Sequence, residues 1–393
     1  MQQASAASWW QNRFVSDNQT STPSLSDLYS RHSSKWRRFD ADVLPLHVAE
    51  MDFEIAEPIR DLIIDFTKRS DLGYLGPVPE VAKAFEGFAK RHWGWQIDPS
   101  QLKIATDVGV ASVEFLRANL KPGDRVIVNS PVYSGFFEWL KELRIEPFDV
   151  PLITGNHEYR LDLEGFERAF QAGHLTVLLC NPHNPVGRVF SREELTALAE
   201  LAQRYGATVI SDEIHAPLSV EKFVPYLSCG PAAEATGVCI TSSSKSFNLA
   251  GLKAAFLLTQ GPEMAAKAAK MPIGTHWRSS ILGAFAMAEA FTSCDTWLAT
   301  TVATIHDNAK HLLAELARLL PEVTSHMPES GYLAWLDITN LGLTNEEIFA
   351  KAKVALVPGP DMGGENYKNF ARINIGTSPE IITEGLTRIA NAR

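Results

Sequence analysis

Short apolar runs alternate with helical stretches through the middle of the chain. Between residues 100 and 260, the runs 103–106, 125–128, 176–180, 207–211 and 238–241 are candidate strands. The run 176–180 shows no alternation of apolar and polar positions, as expected of a strand covered on both faces. A capping box from Ser191 to Glu194 marks one intervening helix, which is expected to end at Gly206. The alternation predicts a mostly parallel (mixed) α/β sheet.

The pattern changes after about residue 272. A long helical stretch covers residues 279–320 and is expected to be broken once, and short strands are expected at 332–338 and 371–375. A last helix is predicted to open at Ser378, with Pro379 at its first position. We therefore predict an N-terminal arm at 1–30, a large α/β domain at 31–275 whose N-terminal segment also reaches the small domain and the entrance, and a small α+β domain at 276–393.

Composition and charge limit the classes of partner and cell compartment that we expect for this protein. The chain has 393 residues and a net charge of −10, without a basic run, which argues against nucleic acid as a partner. Its four cysteines show no CxxC pair and no spacing typical of metal ligands, so we expect reduced thiols and no metal site. The N-terminus lacks the pattern of a secretory signal, and apolar runs are too short to cross a bilayer. A cytoplasmic protein without membrane contact is expected.

Three reactive residues lie at predicted strand ends. Asn184 follows the strand 176–180, Asp212 ends the strand 207–211, and Lys245 lies just past the strand 238–241. Taken singly, these fit a turn, a helix cap and a solvated lysine. Because open α/β sheets bind ligands at the carboxyl ends of their strands, their joint placement instead predicts one shared site.

The motifs around these residues resemble fold-type I pyridoxal-phosphate (PLP) enzymes of the class I/II aminotransferase superfamily. The motifs are Asn181-Pro-His-Asn-Pro-Val-Gly187, Ser211-Asp-Glu-Ile-His215 and Ser242-Ser-Ser-Lys-Ser-Phe-Asn-Leu-Ala-Gly-Leu252, in that order. The segments Lys35-Trp-Arg-Arg-Phe39 and Leu44-Pro-Leu-His-Val-Ala-Glu-Met-Asp-Phe53 resemble the MalY/PatB-like cystathionine β-lyase (C–S β-lyase) branch. The resemblance covers roughly residues 30 to 390.

The resemblance implies a role for each residue around the cofactor ring. Lys245 is expected to hold PLP as a Schiff base and then to act as general base. Asp212 is expected to favour the protonated pyridine nitrogen, and Asn184 to donate to the 3-oxygen. His215 is expected near the same edge, where a core histidine is the alternative. Tyr133 matches the stacking aromatic, with a plain core tyrosine as its competitor.

The phosphate of the cofactor needs amide donors and positive potential. A strand-to-helix junction can supply amides from the helix N-terminus. Tyr74 resembles the tyrosine that reaches the phosphate of a neighbouring subunit, which implies a homodimer with shared active sites. The residues expected to hold the phosphate are Gly109, Val110, Ala111, Ser242, Ser244 and Lys253, the last where many aminotransferases carry arginine.

The substrate is expected to be a small amino acid. Arg372 resembles the arginine that clamps the substrate α-carboxylate, with an ordinary strand arginine as the alternative. Val48 and Ala49 are expected to line the entrance close to the cofactor, and Asn184 to lie near the substrate as well. His47 stands where this branch commonly has tryptophan, so the substrate need not be cystathionine.

Three reactions stay open at this point. The first is α,β-elimination on cystathionine or another S-substituted L-cysteine, giving thiol, pyruvate and ammonia. An aminotransferase is the main alternative, because both reactions use Lys245 and Asp212. A lyase for an S-cysteinyl conjugate of specialised metabolism also fits. A regulatory binding protein that keeps PLP for stability is the lesser, non-enzymatic alternative.

Overall fold

Within the described part of the chain, the large sheet has seven strands and both of its faces are covered. A computed structural model describes residues 20–155, 158–220 and 222–393. The strands in chain order are β1 Leu44–Pro45, β2 Leu102–Ala105, β3 Arg125–Val128, β4 Glu146–Asp149, β5 Ile153–Gly155, β6 Glu158–Arg160, β7 Thr176–Cys180, β8 Thr208–Asp212, β9 Gly237–Thr241, β10 Ala255–Leu258, β11 Thr324–Ser325, β12 Leu333–Asp337, β13 Val354–Ala355, β14 Val357–Pro358 and β15 Phe370–Asn374. The large sheet has the strand order β2-β10-β9-β8-β7-β3-β4, and β10 alone runs opposite in direction to the other six strands. The expected mixed, mostly parallel α/β sheet is thus confirmed.

Helices cover the sheet and form the outer layers. The α-helices in chain order are α1 Leu25–Tyr29, α2 Ser34–Arg37, α3 Glu57–Lys68, α4 Pro79–Trp93, α5 Val108–Asn119, α6 Gly135–Leu143, α7 Leu163–Gln171, α8 Arg192–Tyr205, α9 Pro231–Thr236, α10 Pro262–Ala269, α11 Gly274–Trp277, α12 Ile281–Ser293, α13 Asp295–Leu319, α14 Asn345–Glu347 and α15 Pro379–Asn391. A π-helical turn, Ile348–Ala352, continues α14. Within the described residues, no helix is long and apolar enough to cross a membrane.

Alternate residues of each central strand enter two separate cores. In β7, Val177 and Leu179 belong to one core, and Leu178 and Cys180 belong to the other. Successive side chains of a strand point to opposite faces, so a sheet covered on both sides needs apolar residues at every position. This is why the run 176–180 lacks alternation.

Local signals set several helix ends. Ser191 and Glu194 form the expected capping box, and Gly206 ends the same helix in a left-handed conformation at φ 67°. Ser378 caps α15, with Pro379 at its first position. Helix α5 begins at Val108, because the Asp107 side chain accepts a hydrogen bond from Val110 N–H and caps the helix there.

The small domain is built on an antiparallel sheet in the order β11-β12-β15-β14. The N-terminal segment joins it, because β1 pairs in parallel with β13. The long helical stretch is broken at Cys294, between α12 and α13. Helix α12 packs against α3 and α4 of the large domain. We therefore propose to count α12 with the large domain, rather than to divide the chain at residue 275.

The predicted N-terminal arm is only partly within the described residues, since residues 1–19 lie outside them. The remainder is not a loose arm. Leu28 of α1 is fully buried, and Thr20 N–H donates to Thr304 Oγ1 at 3.2 Å. An apolar anchor therefore holds residues 20–29 to the body of the protein.

A buried ion pair ties the N-terminal segment together. Lys35 Nζ lies 2.7 Å from Asp52 Oδ2, with both side chains at most 1% exposed. Trp36 Nε1 donates to the other carboxylate oxygen at 2.8 Å. Lys35 also reaches the backbone carbonyl of Glu50 at 3.4 Å. The pair therefore fixes residues 47–53, which lead into the site.

We predict that Asp52→Asn destabilises the protein by about 3 kcal/mol, because it leaves the Lys35 charge buried and unpaired. The measurement is the free energy of unfolding in urea. Asp307→Asn is the matched control, since the Lys310–Asp307 pair at 3.0 Å is exposed and is worth less than about 1 kcal/mol. Equal losses in the two variants would contradict the structural role of the buried pair.

Candidate active site

A cavity of about 920 Å³ opens at the carboxyl ends of β7, β8 and β9. Its floor belongs to the large sheet, and its walls come from the N-terminal segment and the small domain. Ligands of open α/β sheets bind in this position. The lining includes the following residues expected from the sequence: Val48, Ala49, Gly109, Tyr133, Asn184, Asp212, His215, Ser244, Lys245, Lys253 and Arg372.

Lys245 lies in the loop after β9 and projects into the cavity. Its Nζ donates to the Ala49 carbonyl oxygen at 2.9 Å. Tyr332 Oη donates to the same carbonyl at 2.9 Å, which fixes the position of that oxygen. Burial lowers the pKa of Lys245 to about 8, and Arg372 contributes in the same direction. The amine therefore loses its proton more readily than an ordinary lysine and suits a nucleophile or a base.

Asp212 is the last residue of β8 and is 4% exposed. Its carboxylate accepts the Ile214 N–H at 3.1 Å, and no lysine or arginine in the described part of the chain forms an ion pair with it. Burial raises the pKa of Asp212 to about 7, partly offset by that hydrogen bond and by Lys245. A buried carboxylate in this state favours a ligand that brings a positive charge or a proton.

Arg372, in the middle of β15, is held by two oxygen atoms. Its Nη1 donates to Asn184 Oδ1 at 3.0 Å, and its Nη2 donates to the His47 carbonyl at 2.8 Å. Its Nε has no partner in the described part of the chain, and the residue is 4% exposed. Burial lowers the pKa of Arg372 to about 10. A buried guanidinium without an anionic partner fits an incoming carboxylate.

The bond to Arg372 also orients Asn184. Because its Oδ1 accepts from Arg372, the side chain keeps Nδ2 as the donor for a ligand. The backbone N–H of Asn184 points instead to Cys180 Sγ at 3.3 Å. This one residue thus connects the group expected to hold the substrate with the end of β7.

His215 and Tyr133 complete the cavity on two sides. His215 is 6% exposed, and its ring meets Tyr332 edge-on at 6.1 Å between centroids. Burial lowers the pKa of His215 to about 3, so its ring is neutral. The Tyr133 ring lies edge-on to Trp139 at 5.8 Å, and burial raises its pKa. Both residues line the cavity, as the sequence predicts.

The N-terminus of α5 forms the end of the cavity expected to hold the phosphate. Lys253 Nζ lies 3.1 Å from Asp107 Oδ2. Two expected donors are already used, since Val110 N–H donates to Asp107 Oδ1 and Ala111 N–H donates to the Asp107 carbonyl. Since both amides have partners within the protein, the structure gives no support to the prediction that Val110 and Ala111 hold the phosphate, and it stays a prediction. Within that first turn, Val108 and Gly109 are the cavity-lining residues whose amides remain.

Ser242 makes its hydrogen bonds within the protein, so its expected contact with the phosphate also stays a prediction. Its hydroxyl is 1% exposed, donates to the Ala254 carbonyl at 2.6 Å and accepts Ser244 N–H at 3.0 Å. It holds the loop in shape, whereas Ser244 lines the cavity. The sequence shows that both serines carry a hydroxyl, but it does not show which of the two faces the cavity.

Tyr74 lies outside the cavity of its own chain and is 89% exposed. The prediction that it acts in a site therefore requires a second subunit. Among the described residues, exposed Leu72, Ile273 and Trp277 are other large apolar side chains at the surface. Large exposed apolar side chains are typical of interaction surfaces.

Trp139 and Phe349 line the cavity without having been predicted, whereas Phe39 belongs to the N-terminal segment that is expected at the entrance. Trp139 packs against Gly109, where an added Cβ would meet its ring at 3.1 Å. Phe39 and Phe349 lie at the mouth and are in contact with each other, with ring centroids 5.3 Å apart. They are 310 positions apart, so no local pattern could pair them.

The described residues fit pyridoxal phosphate. They offer a half-buried amine at Lys245, an unpaired buried carboxylate at Asp212, and a lysine beside a helix N-terminus at Lys253. Arg372 Nε is a further buried donor that has no partner within the described residues. The described part of the chain shows no cluster of histidine, cysteine or acidic residues suited to a metal. This fold and this site define a PLP-dependent enzyme.

Comparison with known proteins gives the family. The chain belongs to the aminotransferase class I and II family, whose profile matches residues 41–389. A cystathionine beta-lyase of Corynebacterium glutamicum is 35% identical, over 94% of this chain and 99% of that protein. A putative cystathionine beta-lyase of Mycobacterium tuberculosis is 37% identical, over 94% and 96%. The crystal structure of a putative PLP-dependent beta-cystathionase from Corynebacterium diphtheriae superposes with a TM-score of 0.89 at 32% identity, covering 95% of this chain and 98% of that one.

We predict that Asp212 makes the cofactor-free protein less stable as pH rises. Burial raises the pKa of Asp212 to about 7 from its ordinary value of 3.8, so between these values the folded state binds a proton that the unfolded state does not. Raising the pH from 5 to 7.5 should therefore lower the unfolding free energy of the wild type more than that of Asp212→Asn. Urea unfolding at both pH values measures this. A difference between the two proteins that stays constant with pH would contradict the prediction.

Proposed function

We propose that the protein is a PLP-dependent C–S β-lyase. It would carry out α,β-elimination on cystathionine or another S-substituted L-cysteine and give a thiol, pyruvate and ammonia. The observation that carries this proposal is the meeting of Lys245, Asp212 and Arg372 in one cavity, in a chain 35% identical to a cystathionine beta-lyase over nearly its whole length.

Arg372 is the proposed anchor of the substrate. Its guanidinium is fixed by Asn184 and His47 and keeps Nε unpaired. A planar carboxylate can dock against such a fork and orient the remainder of the amino acid. Val48 and Ala49 line the cavity between this arginine and Lys245, because Arg372 contacts the carbonyl of His47 and Lys245 contacts that of Ala49.

Lys245 is the proposed attachment point of the cofactor and the proposed base. Its lowered pKa, about 8, allows the free amine to accept a proton from the substrate α-carbon near neutral pH. The Ala49 carbonyl holds the amine on the same side as the substrate anchor. Bound PLP supplies an electron sink for the negative charge left at that carbon.

Asp212 and Asn184 are proposed to tune the cofactor. The Asp212 carboxylate would hold a proton at the ring nitrogen, since burial makes a solitary negative charge costly and a paired one favourable. Asn184 Nδ2 would donate to the 3-oxygen, and Tyr133 would cover a ring face. Ser244, Lys253 and the amides of Val108 and Gly109 would hold the phosphate, with Asp107 setting the position of Lys253.

A homodimer with shared sites is part of the proposal. Tyr74 is too exposed for a core tyrosine and lies away from its own cavity. A tyrosine held out from the surface in this way fits a role in the site of a second copy. The protein is also proposed to act in the cytoplasm, which is consistent with four unpaired cysteines.

The reaction is tested with purified protein, PLP and a panel of S-substituted cysteines that includes cystathionine. We expect matched release of thiol, pyruvate and ammonia, and we expect Lys245→Ala to abolish it. Amino transfer that depends on a keto acid, without thiol release, would show the aminotransferase instead. Turnover of Lys245→Ala near the wild-type rate would overturn the assignment of the lysine.

Subunit sharing is tested by mixing two inactive variants. Each mixed dimer of Tyr74→Ala and Lys245→Ala would contain one site with Lys245 from one subunit and Tyr74 from the other. Random exchange should then restore about a quarter of the wild-type activity, since half of the dimers are mixed and each has one intact site. Unmixed proteins are the control. Failure to restore activity, with exchange verified by mass spectrometry, would place Tyr74 outside the partner's site.

A further inference from the structure

Three rings form one wall of the cavity mouth, which we call the aromatic wall: His47, Phe39 and Phe349. The His47 and Phe39 centroids are 4.8 Å apart, and those of Phe39 and Phe349 are 5.3 Å apart. His47 is 5% exposed, whereas Phe349 is 40% exposed. The aromatic wall therefore runs from the buried interior of the cavity to solvent.

Polar atoms on the aromatic wall and beside it have no partner. In the described ranges of the chain, both ring nitrogens of His47 are buried and unpaired, and so is Asn345 Oδ1. Asn345 lies one helical turn before Phe349 and also lines the cavity. Its Nδ2 donates to the carbonyls of Lys368 and Phe370 at 3.2 and 3.0 Å. These two bonds fix the orientation of the Asn345 amide, and its Oδ1 is left without a hydrogen-bond donor.

Unpaired buried polar atoms are costly and are uncommon in native proteins. Phenylalanine or leucine at position 47 would complete this wall without that cost. Since His47 borders the cavity, the free energy can be recovered when a ligand supplies the missing partners.

The chemistry of the missing partner follows from these atoms. Burial lowers the pKa of His47 to about 4, helped by Arg38 and Lys35, so the ring is neutral. A neutral imidazole has one donor and one acceptor. With Asn345 Oδ1, the buried unpaired polar atoms of this region are one donor and two acceptors. A hydroxyl or amino group can satisfy them, whereas an alkyl group cannot.

The position of His47 indicates which part of the substrate it meets. Its carbonyl holds Arg372 Nη2 at 2.8 Å, and two residues later the Ala49 carbonyl holds Lys245. A substrate with its carboxylate at Arg372 and its α-carbon near Lys245 has its sulfur substituent left to point to the mouth. That substituent then runs along the aromatic wall.

We propose that His47 and Asn345 form a specificity subsite for S-substituted cysteines whose sulfur substituent carries a hydroxyl or amino group. This inference rests on the proposed lyase function and names its substrate class. It assigns to His47 a role in substrate choice and none in proton transfer at the α-carbon.

The test compares two substrates of nearly equal shape, S-(2-hydroxyethyl)-L-cysteine and S-propyl-L-cysteine. The holoenzyme should prefer the hydroxyethyl substrate in kcat/KM, and His47→Phe should reduce this preference about tenfold, the effect of one hydrogen bond. His47→Gln, which keeps a donor and an acceptor, should restore part of it. His306→Phe is the matched control, because His306 also has a buried unpaired nitrogen but does not line the cavity.

Binding separates failure of this inference from failure of the lyase proposal. The α-methyl analogues of the two substrates have no α-proton, so their dissociation constants from the holoenzyme do not depend on the elimination. The same loss of preference in His47→Phe should appear in those constants. Absence of thiol release from every substrate would refute the lyase alone. An unchanged preference in His47→Phe, in rate and in binding, would overturn the subsite.

Discussion

The site depends on charged groups that the fold buries without oppositely charged partners among the described residues. Asp212 and Arg372 are each 4% exposed, and Lys245, which lines the same cavity, has a lowered pKa. A protein interior makes such charges costly unless a ligand completes them. A buried carboxylate fits a protonated ring nitrogen, and a buried guanidinium fits a carboxylate, which is the physical basis for proposing that PLP and an amino acid bind here.

The N-terminal segment sets the relative positions of these buried groups. Residues 47–50 pass between the large and small domains, and their carbonyls hold Arg372, Lys245 and Asn374. The buried Lys35–Asp52 pair and the pairing of β1 with β13 fix this segment at its two sides. A short piece of extended chain thus positions Arg372, the proposed substrate anchor, and the Lys245 amine relative to each other.

Much of the fold and part of the site follow from the sequence, for identifiable reasons. Lys245, Asp212 and Asn184 are found from strand ends, because the carboxyl ends of parallel strands meet at one edge. Val110 and Ala111 are expected to hold the phosphate, but the sequence does not show that both of their amides donate to Asp107. The contact of Phe39 with Phe349 joins distant parts of the chain through the tertiary fold. The hydrogen-bond partner of a polar group and the packing of residues distant in the sequence are both set by the tertiary fold. Neither leaves a signal in the local sequence.

The central claim is that one lysine carries the cofactor in a cavity built around Asp212 and Arg372. The most direct test is to reduce the PLP-loaded protein with borohydride, digest it and locate the added cofactor mass by mass spectrometry. The account predicts one modified residue, Lys245, with the label lost in Lys245→Ala. A label on another lysine, or an unchanged label in that variant, would contradict it.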